Sequence, residues 1–371
     1  MTPDDSSTTT AAPADATAPV REVAPVADRQ HRRALAAERQ RERNAALAPI
    51  IPDRVPWPAV ITFLAIALGA AWAIQSPLWI SGDGLAHPLF FPLTLGMMFT
   101  PALAAIVVVL VVHRPRSIPR LLGLAPLRPM TRTLGLVALA AVAFPVLAIA
   151  SMLLGHAMGL VRLDLVGLSG LAEFLAAQGQ VDVSREMLVG IAVAQLLIIP
   201  LNIVGSSIAA FGEELGWRGW LLPNLLPLGT WPALIVTGLA WGVWHAPIIL
   251  LGYNYGRTDL LGVLLMTGWC VMLGILIGWL RLRSASVWPA VIAHGAVNGS
   301  TGALFVFVAA GADGSVVFGT LLGWPGWILM AALIVVLVVT GQSTKRAVPG
   351  LTLSEAASPT SAGRGSEGAT T

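Results

Sequence analysis

Long apolar runs recur along this chain, each near the ~20 residues that a helix needs to cross a bilayer. They fall at roughly 57–75, 89–112, 133–155, 187–210, 231–251, 260–280, 286–309 and 316–340. The pattern predicts an all-α, polytopic membrane protein of about eight transmembrane helices. Two prolines mark places where the pattern predicts a break. Pro200 lies inside the stretch 187–228, which is too long for one plain span, and a proline removes a backbone hydrogen bond. Pro247 follows His245 in AWGVWHAPIILLGY and predicts a helix interruption beside that histidine.

The ends read differently. Residues 1–28 are rich in Thr, Ala, Pro and Ser and have little to bury, which predicts disorder. HRRALAAERQRER (31–43) predicts a short basic helix at the lipid headgroups. The division expected is a cytoplasmic tail over 1–55, a transmembrane domain over 56–340 and a disordered tail over 341–371.

Composition sharpens this picture. Of 371 residues, 56% are hydrophobic and only 11% charged, and the mean hydropathy is +0.78. Soluble domains carry about 25% charged residues, so a soluble enzyme with one very large core is disfavoured. The few basic residues, almost all arginine, cluster on alternate sides of the spans. Arg29 to Arg54, then Arg114, Arg116, Arg120, Arg128 and Arg132, then Arg281 and Arg283, and finally Lys345 and Arg346 fall on one side. The loops between, such as 76–88, are poor in them. The positive-inside rule then places both termini in the cytoplasm, as an even number of spans requires. The Arg- and Ala-rich usage points to a bacterial cell membrane. The lipid bilayer is the expected partner, and no nucleic-acid partner is expected. The single cysteine, Cys270, lies in an apolar segment and reads as a small buried hydrophobe.

Ionisable residues inside spans are expensive, ~2.5–3.5 kcal/mol or more at a helix centre, and usually face a cavity. Those in or beside the apolar runs are Glu213, Glu214, Arg218, His245 and His294, with Asn298 among the amides. Glu214 and Arg218 are spaced i,i+4 with the acid first, the favourable order for a helical ion pair. Glu213 lies about 100° round the helix from Glu214, so the two point apart. One can pair with Arg218 while the other faces a cavity. His294 and Asn298 are again i,i+4 and share a face. Singly, each has a plain structural explanation; together, across three spans of the C-terminal half, they predict one buried polar site.

These residues resemble a known family. EELGWRG is similar to the EExxxR motif of the CAAX protease and bacteriocin-processing (Abi) family, the type II CAAX prenyl endopeptidases. WGVWH, from Trp241 to His245, is similar to its aromatic-xxx-His motif, with Trp in place of the commoner Phe. HGAVN, from His294 to Asn298, is similar to its HxxxN motif. The resemblance covers about 187–310 and implies a helical intramembrane peptidase. It implies that Glu213, with His245, activates the attacking water. It assigns His294 and Asn298 to the oxyanion, and Glu214 with Arg218 to orienting the site. Family members are described both as metalloproteases and as glutamate-dependent enzymes without a metal. Glu213, His245 and His294 are therefore candidate ligands for Zn2+ or another divalent ion, a set that suits zinc with an open position for water. The substrate implied is a protein or peptide, with a membrane-attached C-terminal tail as the eponymous case. HExxH and GxSxG motifs are absent.

Two other readings stay open at this point. Buried Glu, Arg and His also serve as proton relays in transporters or proton-coupled carriers. No second copy of EExxxR or HxxxN occurs in residues 50–190, where an internal repeat would place it. A non-catalytic immunity or scaffold protein could also retain the motifs.

Overall fold

The structure, a computed structural model, describes residues 30–36, 38–39, 50–343 except Arg116, Pro126, Arg128, Pro129 and Val181, and 351–352. The disordered tail expected over 1–28 lies outside the described residues, as does that over 341–371 apart from 341–343 and Leu351–Thr352, which pairs with Ile50–Ile51; several of the arginines and the lysine used for orientation lie outside them too. The chain divides between Asn44 and Ala45 into two units. In the first, residues 30–36 and 38–39 are helical, which places part of the expected basic segment in a helix.

The second unit is built almost wholly from helices, and an all-α polytopic membrane protein is what its sequence predicts. Among the described residues, six helices are long and apolar enough to cross a membrane. They are Trp57–Ile80, Phe90–Val112, Met130–Ala157, Leu260–Ser284, Trp288–Phe307 and Gly314–Val339. A bent pair, Arg185–Leu197 with Ile199–Leu228, raises the count to seven. The remaining expected span, 231–251, is present as helix Thr230–Trp244 of only 15 residues. At 1.5 Å per residue it falls short of a ~30 Å hydrocarbon core. The eighth expected run is thus present but interrupted, for a local reason. Pro247 has no N–H and restricts Ala246, so the helix stops at His245 and restarts as Ala246–Ile249.

The bend near Pro200 also appears, and it settles where the glutamates sit. The two helices meet at Ile198 with a 47° bend. Beyond it the chain stays helical through Glu214, a π turn over Leu215–Leu221, and on to Leu228. Glu213 and Glu214 therefore lie within the extended helix, not at its end.

Small residues set how closely the helices approach. Helix α1 is defined here as Ile199–Glu214, α2 as Thr230–Trp244, α3 as Leu260–Ser284 and α4 as Trp288–Thr301. A Cβ on Gly212 would lie 2.7 Å from the Met98 carbonyl oxygen, and one on Gly216 2.6 Å from the Pro101 carbonyl carbon. On Gly238 it would meet Val271 Cα at 2.7 Å, and on Gly242 the backbone of Thr267. On Gly295 it would meet Ser207 N at 2.8 Å, and on Gly299 Ile203 N at 2.6 Å. Each pair is a GxxxG word, the spacing that lets helix backbones touch in a membrane. Each word encloses or abuts a polar motif: GEELG holds both glutamates, GLAWG holds Trp241, and GAVNG follows His294 and holds Asn298.

Arg281 reads as a loop charge in the sequence, yet it is 1% exposed. Its Nε donates to the Arg218 carbonyl at 3.0 Å and its Nη2 to the Leu121 carbonyl at 3.0 Å. The first acceptor has a clear origin. In the π turn, Leu222 N–H bonds back to the Trp217 carbonyl. The next donor in that register would be residue 223, a proline without an N–H. Arg281 supplies the missing donor. Leu121 lies in the last turn of the short helix Ile118–Leu122, where carbonyls lack intrahelical partners. Arg281→Met is expected to strand both carbonyls while relieving the burial of a guanidinium. A net loss of ~1–3 kcal/mol is expected, read as a lowered thermal unfolding midpoint in detergent.

Candidate active site

The charged motif residues converge on one tryptophan. Trp241 occupies the last turn of α2, four residues before His245. Its Nε1 donates to Glu213 Oε2 at 2.6 Å. The Arg218 guanidinium lies over its ring, 4.3 Å from the centroid. The His294 ring meets it edge-on at 5.2 Å between centroids. Its backbone carbonyl lies 2.9 Å from His245 Nδ1. Four side chains from three motifs are thus gathered by the ring, the N–H and the carbonyl of a single residue.

Glu214 forms the second half of the cluster. Its Oε1 accepts from Arg218 Nη1 at 2.8 Å, the expected i,i+4 pair, and from His294 Nδ1 at 2.9 Å. The two neighbouring glutamates therefore do point apart, one to Trp241 and one to Arg218. The pairing around Glu214 is incomplete. Glu214 Oε2 and Arg218 Nε and Nη2 are buried without a hydrogen-bond partner.

The histidine partners fix their tautomers. A carbonyl oxygen and a carboxylate oxygen only accept, so Nδ1 carries the hydrogen in both His245 and His294. His245 Nε2 is left with a lone pair, whereas His294, set against the Glu214 carboxylate, can hold a second proton at Nε2 and so act as a donor. Both rings are buried, and His245 is also packed edge-on against Trp244 at 4.7 Å. Trp244 Nε1 donates to Thr100 Oγ1 at 3.0 Å, and Thr100 donates on to the Ala67 carbonyl at 3.1 Å. This chain ties the end of α2 to helix Trp57–Ile80. Cys270 is buried as expected, with its Sγ 3.8 Å from His245 Nδ1.

Glu213 is 2% exposed and Glu214 fully enclosed. With Oε2 of Glu213 held by Trp241, Oε1 is the oxygen left for an incoming group. A carboxylate with one uncommitted oxygen, among imidazoles and a guanidinium in an apolar bundle, can take a proton from water. Asn298 stands apart from this cluster. It is the exposed residue of α4, one turn beyond His294, and its side chain bonds to no protein group among the described residues. As for a metal, no three His, Cys, Asp or Glu side chains among the described residues are grouped as ligands. Glu213, His245 and His294 as placed do not form the expected three-ligand set.

In the sequence Trp241 reads only as the aromatic of a motif, and nothing in its spacing marks it as the hub. The available signal was chemical: an indole, unlike a phenyl ring, carries a donor that must be satisfied when buried.

Comparison with known proteins covers the segment that carries these residues. Residues 195–300 match the family model described as Type II CAAX prenyl endopeptidase Rce1-like. CAAX prenyl protease 2 of Methanococcus maripaludis is 32% identical over 104 residues, which is 24% of this chain and 36% of that relative. The match therefore spans about a third of the relative's length. In the segment that holds Glu213, Glu214, Arg218, His245, His294 and Asn298, this chain is similar to the Rce1-like type II CAAX prenyl endopeptidases.

Proposed function

We propose that this protein is an intramembrane endopeptidase that hydrolyses a peptide bond with a water activated by Glu213. The observation that carries the reading is the convergence of Glu213, Arg218, His245 and His294 on Trp241 inside an otherwise apolar bundle. An isolated ion pair would need no such gathering.

Glu213 Oε1, the uncommitted oxygen, accepts a proton from water as the water oxygen bonds to the scissile carbonyl carbon. His245 Nε2 accepts a hydrogen bond from that water and orients it. The oxyanion forms where His294 and the Asn298 amide can reach it, and they stabilise it. The tetrahedral intermediate collapses, the C–N bond breaks, and the proton held by Glu213 passes to the leaving amine. Glu214 and Arg218 hold the helix and His294 in place. An exposed amide on an otherwise buried helix is costly against lipid, so Asn298 marks where water reaches the bundle. No step passes through a metal, because the side chains as placed do not gather into a ligand set.

The substrate class is a membrane-attached polypeptide tail, and the carbonyl to be cut enters from the Asn298 side. Both termini lie on the cytoplasmic side of a bacterial cell membrane. The helix Ile118–Leu122, in the loop that carries Arg114, Arg120 and Arg132, is tied by Arg281 to the end of α3 that carries Arg283. Clusters assigned to one side of the membrane by charge thus meet. The test is cleavage by purified protein in lipid vesicles. One arm uses a C-terminally prenylated peptide and another the same peptide without the prenyl group, each with and without a chelator. New termini identified by mass spectrometry in either peptide arm support the reading. No cleavage in any arm, alongside proton-coupled uptake into the vesicles, would favour a carrier. Equal rates with and without chelator are expected.

A further inference from the structure

We infer that Trp241 is a positioning residue for the reaction: its indole N–H fixes which oxygen of Glu213 meets the water. The inference rests on the peptidase reading and goes beyond it by assigning a part to a residue outside the charged set.

Glu213 leaves α1 at a point where the next residue turns the other way. A glutamate side chain has three rotatable bonds, and a carboxylate can present either oxygen. In an apolar bundle there are few groups to choose between its rotamers. Here one donor does so. Trp241 Nε1 reaches Oε2 at 2.6 Å, a short charge-assisted bond. The indole is itself immobile: it is fully buried, packs against Trp269 at 6.1 Å between centroids, and lies across the Arg218 guanidinium. Gly238 and Gly242 press the same turn of α2 against Val271 and Thr267. A rigid donor on a closely packed helix therefore clamps a flexible acid on its neighbour.

The same residue also registers the second partner. Its carbonyl accepts from His245 Nδ1 at 2.9 Å, which turns His245 Nε2 away from the helix. Side chain and backbone of Trp241 thus hold one group each, Glu213 through the indole N–H and His245 through the carbonyl. Water can be held between an acceptor pair only if their separation is fixed, and small misplacement of reacting groups is heavily penalised in rate. Phenylalanine at this position would keep an aromatic ring beneath Arg218 and lose the donor. Its smaller ring would also open space, so substitution by Phe alone mixes two effects.

The experiment replaces Trp241 by 3-benzothienylalanine, an isostere with sulfur in place of the indole N–H, in the full-length protein in vesicles. Trp241→Phe serves as the second variant. The expected result is a fall in kcat of about 10- to 100-fold, the range for losing a hydrogen bond to a charged group. KM should stay within about threefold and the unfolding midpoint within a few degrees. Trp241→Phe should show the same fall in kcat plus a lower midpoint. In a Glu213→Gln background the isostere should change residual turnover by less than about twofold, because the donor acts through the acid. An unchanged kcat with the isostere would overturn the inference, as would an equal fall in the Glu213→Gln background. If Glu213→Gln itself kept wild-type turnover, the peptidase reading would fail instead.

Discussion

Glu213→Gln is expected to reduce peptide hydrolysis by ~10²–10⁴-fold, the contribution of a positioned general base, with little change in thermal unfolding. The amide keeps the size of the side chain, and its oxygen can still accept from Trp241 Nε1 where Oε2 now sits 2.6 Å away. What is lost is the ability to hold a proton. Initial rates on a labelled peptide, with unfolding followed in the same detergent, check both halves. Wild-type turnover in this variant would remove Glu213 from the chemistry and leave the cluster a structural one.

Arg218→Ala is expected to be the most damaging to stability, by ~3–5 kcal/mol, because it leaves Glu214 buried without its cation. The pair is fully enclosed and only partly satisfied, with Glu214 Oε2 and two guanidinium nitrogens unpartnered. An ion pair of that kind is weak evidence of a stability role, since apolar residues of like volume often do as well. The informative variant is therefore the double one. Glu214→Leu with Arg218→Met should recover most of the unfolding midpoint lost in Arg218→Ala, and should still lack hydrolysis because His294 loses its anchor. Arg218→Lys should fall between. An ammonium can reach Glu214 but cannot also lie flat over the Trp241 ring, as the guanidinium does at 4.3 Å. If the double variant were as unstable as Arg218→Ala, the pair would be a structural element and its link to turnover indirect.

Much of this was legible in the residues because bilayers constrain sequences so strongly. Every apolar run has a helix at its position, and both interruptions fall beside the prolines that predict them. Glu214 and Arg218 pair as their spacing requires. What escaped was local. Hydropathy counts residues and cannot see that Thr230–Trp244 stops at 15 of them. Charge asymmetry treats Arg281 as a marker of sidedness, whereas Pro223 leaves a carbonyl that draws it inward. Asn298 shares a face with His294 by spacing, yet the amide stands exposed while the histidine is buried in the cluster. The π turn after Glu214 has no plain signature in composition.

The interleaved glycines bear on how such a protein can change over time. Chemistry and adhesion are spelled with the same letters in GEELG, GLAWG and GAVNG. A lineage cannot trade one motif for a variant without also renegotiating the distance between two helices. Drift in the surrounding apolar positions is unconstrained by comparison, because lipid-facing side chains there answer only to hydrophobicity. Sequence identity in such a protein should therefore retreat into short islands while the bundle around them turns over, and a recombined chain would inherit the reaction and the helix contacts as one block or lose both.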